Sequence, residues 1–234
     1  MKNFGLIQFV LASSLAMLVT FPNQQINLPV ETVEDNKRTF ERFLEKFPME
    51  SLPYTTELEV INFNEDELIE PPQMDETLLL TDEFESILPA LEHRKFSRMG
   101  PDDIYAEALL ASTDDFHLLV YTRKHPFSFY SGSKVLAVFS RSGKLLDEMT
   151  ISYSYGRDGG LATHIDQSFN LEIAEKESIW AKDVDQFGYK DNEIVGYKTI
   201  SAEFWTINKD GEFEERDIEK MEETESVVVE SNAD

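Results

Sequence analysis

The stretch Leu161-Ala-Thr-His-Ile-Asp-Gln-Ser-Phe-Asn-Leu-Glu-Ile173 alternates between apolar and polar side chains. Its odd-numbered positions are mostly apolar, and most of its even-numbered positions are polar. Successive side chains of a β-strand point to opposite faces of the sheet. This period of two therefore predicts one long strand with one buried and one solvated face.

Shorter stretches of the same kind surround it between Ile104 and Phe213, and short polar turns separate them. The predicted strands cover residues 104–111, 116–124, 134–140, 144–155, 161–173, a segment near 178–183, 194–208 and 212–214. Seven or eight antiparallel strands joined by short links predict a mainly β (α+β) fold. We expect an up-and-down meander, curled or partly closed, because a sheet of this size must bury its apolar face.

The region before this sheet carries the signals of one or two short helices packed on it. Thr32 is a suitable N-cap residue, and Pro48 is expected to end the first helix. Four large apolar side chains recur at the spacing of one helix face: Phe40, Phe43, Leu44 and Phe47. We expect this stripe to dock onto the body of the protein, with a partner-binding helix as the alternative. A second helix is predicted over residues 78–91 and a short strand over residues 57–63.

The chain therefore divides into five segments. In order, these are a signal peptide or N-terminal anchor (1–21), a linker (22–32), a helical and extended segment (33–103), the antiparallel β domain (104–215) and an acidic tail (219–234). Like charges repel one another and stay solvated, so the tail is predicted to be disordered.

Residues 1–21 have the layout of a secretory signal, because Lys2 is followed by an uncharged, apolar stretch. An uncleaved anchor is the first alternative, since about 18 uncharged residues approach the length that spans a bilayer. A buried N-terminal helix is the second. The chain contains no cysteine, so disulfides, thiol nucleophiles and lipid attachment through sulfur are excluded. We predict an extracytoplasmic protein, either periplasmic or secreted.

The composition limits the classes of partner. A hydrophobic content of 41 % is enough for a real core, so global disorder is not expected. A formal net charge of −25 disfavours nucleic acids and anionic membrane surfaces, because both require a concentrated positive surface. The same charge also keeps a protein soluble, which is its simplest explanation.

Four motifs carry a resemblance to known sequences. They are Phe47-Pro…Leu52-Pro-Tyr54, Ile104-Tyr…Phe116-His-Leu-Leu-Val-Tyr121, Phe139-Ser-Arg-Ser-Gly-Lys144…Asp147 and Ile207-Asn-Lys-Asp-Gly-Glu-Phe213. Over residues 40–215 the chain resembles a group of uncharacterised exported proteins of Bacteroidetes-type bacteria. The resemblance implies a β-rich extracytoplasmic domain of unassigned function and supplies no catalytic residues.

Signatures of catalysis and of metal binding are missing from the sequence. The four histidines form no close ligand pair, and His117 and His125 would lie about 26 Å apart in an extended strand. No nucleophile motif or phosphate-binding glycine loop is present. We therefore predict no metal site and no cofactor. An enzyme remains open only through a site assembled from distant residues.

The segment Tyr153-Ser-Tyr-Gly-Arg-Asp-Gly-Gly160 has the composition of a ligand site. Glycines let a ligand approach the backbone, and tyrosine offers a flat surface with a polar tip. A wide hairpin whose tyrosines cap the core is the alternative. Convergence of His164 with Arg157 and Asp166 in one pocket would indicate an enzyme. The candidate ligand-binding residues are Tyr153, Tyr155, Arg157, Asp158 and His164.

Three classes of function follow. The first is a non-catalytic secreted or cell-envelope β domain that binds a protein, a peptide or a glycan. The second is a hydrolase with a dispersed active site. The third is a structural envelope component held by an uncleaved N-terminus. We favour the first, because strand and turn signals abound whereas nucleophile and metal signatures do not.

Overall fold

The computed structural model describes residues 30–58, 74–93, 102–124, 132–154, 156, 158–189 and 192–216. The predicted signal or anchor and the predicted disordered tail lie outside these residues, as does most of the predicted linker. None of the helices within the described ranges is long and apolar enough to cross a membrane.

Nine strands make up about half of the described residues. Two short 3₁₀ turns lie at Glu76–Leu78 and Asp82–Phe84. The remaining elements are α1 (Val30–Leu44), β1 (Tyr54–Thr55), α2 (Ala90–His93), β2 (Asp103–Ser112), β3 (Phe116–Lys124), β4 (Ser133–Ser140), β5 (Leu145–Ser154), β6 (Gly159–Ile165), β7 (Asn170–Trp180), α3 (Val184–Phe187), β8 (Ile194–Ile207) and β9 (Phe213–Glu215).

The strands form the predicted meander. Their order in the sheet is β2-β3-β4-β5-β6-β7-β8-β9, with every pair antiparallel, and β1 adds to β6. The mainly β prediction is confirmed, and β3 has the predicted bounds. The described strands do not close into a barrel, since β2 and β9 occupy opposite ends of this order.

Strands β3 and β4 are buried on both faces. Leu119 and Tyr121 belong to one core, whereas Leu118 and Val120, which point the other way, belong to a second. The first, the helical-side core, contains side chains from α1, from the 3₁₀ turns and from β2–β4. The second core lies between the two halves of the same sheet and joins side chains of β2–β5 to side chains of β6–β9. The sheet therefore curls so that its two parts face each other.

The predicted apolar stripe of α1 packs on the sheet. Phe43 is fully buried and contacts Phe84 and Phe139, with ring centroids 5.5 Å from each. Phe40 and Phe47 are also buried. Burial of each such side chain stabilises the fold by about 1.5–3 kcal/mol. The docking prediction is thus confirmed, although α1 runs from Val30 to Leu44 and so begins before the predicted cap and ends before Phe47 and Pro48.

The predicted long strand over residues 161–173 is wrong, because this stretch is a hairpin of β6 and β7. Residues 166–169 form its loop, and Thr163 pairs with Ile173 across it. The Asp166 carboxylate accepts hydrogen bonds from the backbone N–H groups of Ser168 and Asn170 at 2.7 and 2.9 Å. The last pair is Ile165 with Leu171, so five residues lie between the paired positions, and an odd number keeps odd-numbered residues of both strands on one face. The alternation therefore continues through the turn and hides it.

Three other boundary predictions differ from the structure. The segment near 178–183 is no separate strand, because β7 runs on to Trp180 and α3 follows Asp183. No continuous helix spans 78–91. Instead the Leu80 N–H donates to the Ile104 carbonyl at 2.8 Å, so the backbone there bonds to the edge of the sheet. Glu57 and Leu58 are not in a strand, and the rest of 57–63 lies outside the described residues.

Candidate functional site

A cleft of about 340 Å³ opens beside the predicted site loop. Its volume is at the lower end of the range for small-molecule sites. Three parts of the chain line it, namely β1 with the residues after it, the start of β4 and the end of β5. The lining residues are Thr55, Glu57, Leu58, Gly132, Lys134, Ser152, Tyr153 and Ser154.

The cleft exists because two strands share one edge of β6. At one end of β6, Leu161 and Gly160 pair with Tyr153 and Ser154 of β5. At the other end, β1 takes the place of β5, with Thr55 opposite His164. Strands β1 and β5 therefore diverge along this edge, and the space between them is the cleft.

Threonine hydroxyl groups hold the two strands apart at a defined distance. The Thr163 N–H donates to Thr56 Oγ1 at 2.7 Å, and the Thr56 N–H donates to the Thr163 carbonyl at 2.9 Å. The Thr163 hydroxyl donates to the Ile151 carbonyl of β5 at 2.6 Å. Both threonines are buried, so these bonds replace lost hydration. The cleft is thus built on a preformed frame.

An ion pair lies beside the cleft. The Lys134 Nζ atom, which belongs to a lining residue, is 2.5 Å from Glu107 Oε1, and both side chains are about a quarter exposed (24 % and 27 %). The Thr122 hydroxyl donates to the second Glu107 oxygen at 3.0 Å. Burial, helped by the charges of Glu107 and Glu50, raises the pKa of Tyr54, so its hydroxyl stays protonated.

The lining offers both signs of charge and several hydroxyl groups around one aromatic ring. Glu57 accepts hydrogen bonds, Lys134 donates them, and the serine and threonine hydroxyl groups do both. Tyr153 adds a flat apolar face with a polar tip. Such a set suits a small polar ligand with many hydroxyl groups better than an apolar one.

The structure does not bring the predicted site residues together in one place. Tyr153 lines the cleft. His164 lies at its rim, with Nδ1 2.8 Å from the Thr55 hydroxyl. Asp158 lies away from the cleft lining, with its carboxylate 3.4 Å from the Tyr189 hydroxyl. Tyr155 and Arg157 lie outside the described residues.

Asp166, the partner considered for His164, does not turn toward a pocket. Its carboxylate bonds within its own hairpin loop, including the Asn170 side-chain amide at 2.8 Å. Desolvation by itself would raise the pKa of Asp166, but the hydrogen bonds from Asn170 and Ser168 outweigh it and hold the pKa below its ordinary value. Asp166 is therefore a structural residue of the loop.

Sequence reasoning missed Thr55 and Lys134, which line the cleft, and Glu107, which pairs with Lys134 beside it. Glu107 and Lys134 are separated by 27 positions, and Thr55 belongs to a segment that was given no role. One local signal existed for Glu107, which is an acid within the largely apolar strand β2. The ladder between β2 and β3 is irregular between Ala106 and Ala108, where Glu107 lies.

A serine and a histidine also meet elsewhere, at the start of β3. The Ser112 hydroxyl lies 2.9 Å from His117 Nδ1, while the Arg141 guanidinium donates to Nε2 at 3.0 Å and to the serine at 2.9 Å. Since Nε2 accepts from arginine, the neutral ring carries its proton on Nδ1 and cannot take one from Ser112. This arrangement does not activate a nucleophile.

The described residues contain no group of three or more side chains that could hold a metal ion. No protein-family model, no curated protein and no solved structure matches this chain. The cleft is therefore interpreted from its own chemistry alone.

Proposed function

We propose that this protein is a non-catalytic β domain that binds a short glycan in the cleft beside Tyr153. The observation that carries the proposal is the lining itself, in which hydroxyl groups, a carboxylate and an ammonium group surround a tyrosine. Sugar hydroxyl groups both donate and accept hydrogen bonds, so they match a lining that does both. The less polar face of a sugar ring matches an aromatic surface.

A glycan is favoured over a peptide by the pairing of β5. An extended peptide gains affinity by adding to an unpaired strand edge. Along the cleft, β5 is paired on both sides, to Lys134 through Ser152 and to β6 through Tyr153 and Ser154. Strand β5 therefore has no free backbone edge to offer in this place, so recognition along this strand relies on side chains.

The proposed setting is outside the cytoplasm, in the periplasm or the medium. Its support is the pattern of residues 1–21. The resemblance to exported β-rich proteins of Bacteroidetes-type bacteria points the same way. N-terminal sequencing of the mature protein, together with cell fractionation, tests this part independently of ligand binding.

Binding is tested on a printed glycan array, followed by calorimetry with the shortest glycan retained. We expect Tyr153→Ala to weaken binding about tenfold, because the stacking surface is lost. Glu57→Gln should weaken binding to a similar extent, because a charged acceptor becomes a neutral one. Tyr105→Ala is the matched control, since Tyr105 is also a half-buried strand tyrosine but does not line the cleft.

If the folded protein binds no glycan on the array, the proposal is rejected. If wild type, Tyr153→Ala and Glu57→Gln bind the glycan with equal affinity, the glycan does not bind in this cleft. Circular dichroism of each variant separates loss of binding from loss of structure.

A further inference from the structure

A second polar and aromatic corner lies at the far end of β7, separate from the cleft lining. The rings of Trp180 and Tyr189 meet edge to face, with centroids 5.2 Å apart and planes at 68°. The Tyr189 hydroxyl lies 3.4 Å from Asp158 Oδ1. Tyr189, on the segment after α3, therefore reaches from Trp180 back to the loop before β6.

Ser178 lies in the same corner with an unused hydroxyl group. Its backbone N–H donates to the Asp158 carbonyl at 3.0 Å, and it shares a strand face with Trp180, two residues on. The residue is 7 % exposed, and its Oγ atom is buried without a hydrogen-bond partner. A buried hydroxyl that is left unpaired costs free energy, so its retention calls for an explanation.

The hydrogen bond that closes the corner is weak. A separation of 3.4 Å between the Tyr189 hydroxyl and the Asp158 carboxylate is well beyond the usual range for two oxygens. A charged donor would form a shorter and stronger bond to the same carboxylate. Tyr189 also keeps 46 % of its surface exposed, so the corner can be reached from solvent.

The composition of the corner selects a cation. Aromatic ring faces attract cations within about 6 Å of the ring centre, and Trp is the strongest of them. Asp158 supplies a negative charge, and Ser178 Oγ supplies an acceptor that is still free. The formal charge of −25 on the chain adds a general attraction for cations.

We propose that Trp180, Tyr189, Asp158 and Ser178 form a binding site for a primary alkylammonium group. The ammonium group replaces the Tyr189 hydroxyl at Asp158 and donates a second hydrogen bond to Ser178 Oγ. Its methylene groups pack against the two rings. A lysine side chain and a small free amine share this chemistry, and the site does not depend on the proposed glycan cleft.

The test uses the fluorescence of Trp180 in the full-length protein. The chain has two tryptophans, so Trp205→Phe leaves Trp180 as the sole tryptophan, and its emission is followed. Three probes are titrated at constant ionic strength: n-butylammonium chloride, Nα-acetyl-lysine methylamide and the neutral 1-pentanol. We expect saturable changes with both cations, at concentrations on the order of millimolar, and none with 1-pentanol. If the lysine derivative binds more tightly than butylammonium, the site is assigned to a lysine side chain. If butylammonium binds more tightly, the site is assigned to a small free amine.

Variants identify the groups involved. Asp158→Asn should raise the half-saturating concentration about tenfold, because the charge-assisted bond is lost. Ser178→Ala should raise it several-fold while leaving stability unchanged or higher, because the hydroxyl is unpaired in the free protein. Tyr189→Phe keeps the ring and removes the competing hydroxyl, so it should bind at least as tightly as the parent.

An equal response to 1-pentanol, or unchanged half-saturation in both Asp158→Asn and Ser178→Ala, would overturn the proposal. If Trp205→Phe does not fold, the two indole N–H signals of the wild type are followed by NMR instead. In that case only the Trp180 signal should shift with the cations, and a shift confined to Trp205 would count against the site.

Discussion

The hydroxyl group of Thr55 lies 2.8 Å from Nδ1 of His164, and this contact joins β1 to β6 at the rim of the cleft. Thr56, the next residue, makes the corresponding contact in the interior, where its Oγ1 accepts from the Thr163 N–H. Two adjacent threonines thus attach the N-terminal segment to the sheet, one in solvent and one buried.

The two threonines should differ in their effect on stability. We expect Thr56→Val to lower the free energy of unfolding by about 1–3 kcal/mol, because the buried Thr163 N–H loses its hydroxyl acceptor. Thr55→Val should lower it by less than about 1 kcal/mol, because water replaces the lost partner. Urea denaturation of both variants measures the difference, and equal losses would show that burial does not decide the outcome.

Phe43 should be the most sensitive residue of the helical stripe. The side chain is fully buried among aromatic rings, so Phe43→Ala is expected to lower stability by about 3–5 kcal/mol. Phe187→Ala is the control, because Phe187 is 61 % exposed and should change stability by less than about 0.5 kcal/mol. Thermal or urea denaturation measures both, and similar losses would contradict the docking of α1.

His117 should make stability depend on pH in the mildly acidic range. Burial and, secondarily, the charge of Arg141 lower the pKa of His117 in the folded protein. The unfolded chain then binds a proton first, so the stabilising contribution is complete above pH of about 6.5 and is lost as the pH falls through the folded pKa.

The comparison for this prediction is His117→Gln, which cannot titrate. Wild type should lose more stability than the variant between pH 7.5 and pH 5, as measured by urea denaturation. Parallel losses in the two proteins would assign the pH dependence to other groups. The lowered pKa values of Asp75 and Asp166 act below about pH 4, outside this interval.

Asp166 should stabilise the β6–β7 hairpin through its carboxylate. Asp166→Ala removes the acceptor of two backbone N–H groups and should lower stability by about 1–2 kcal/mol. Asp166→Asn keeps one acceptor oxygen and should lose about half as much. Because the folded pKa of Asp166 is lowered, its contribution is present above about pH 3.8 and is lost as the pH falls through the folded pKa. A wild-type acid transition that is unchanged in Asp166→Ala would contradict this role.

The local sequence pattern predicted an element correctly where one periodicity covered one helix or one strand. The stripe with Phe40 and Phe43 predicted the face of α1 that is buried, and the run from Phe116 to Lys124 predicted β3 at both ends. It was insufficient at residues 166–169, because the five residues between the paired Ile165 and Leu171 keep the alternation in phase. It also failed over 78–91, where bonding of Leu80 to Ile104 replaced a helix.

The amino-acid sequence alone determined that the chain builds an antiparallel meander with a docked helix, because backbone geometry ties side-chain periodicity to buried faces. It also predicted Tyr153 and Asp158 as candidate ligand-binding residues, but it assigned both to one site. Only the tertiary structure decided that β1 and β5 share one edge of β6 and so create the cleft. It likewise brought Tyr189 to Asp158, 31 positions away. Such contacts depend on strand register and chain reversal across long separations, and no local pattern of residues records them.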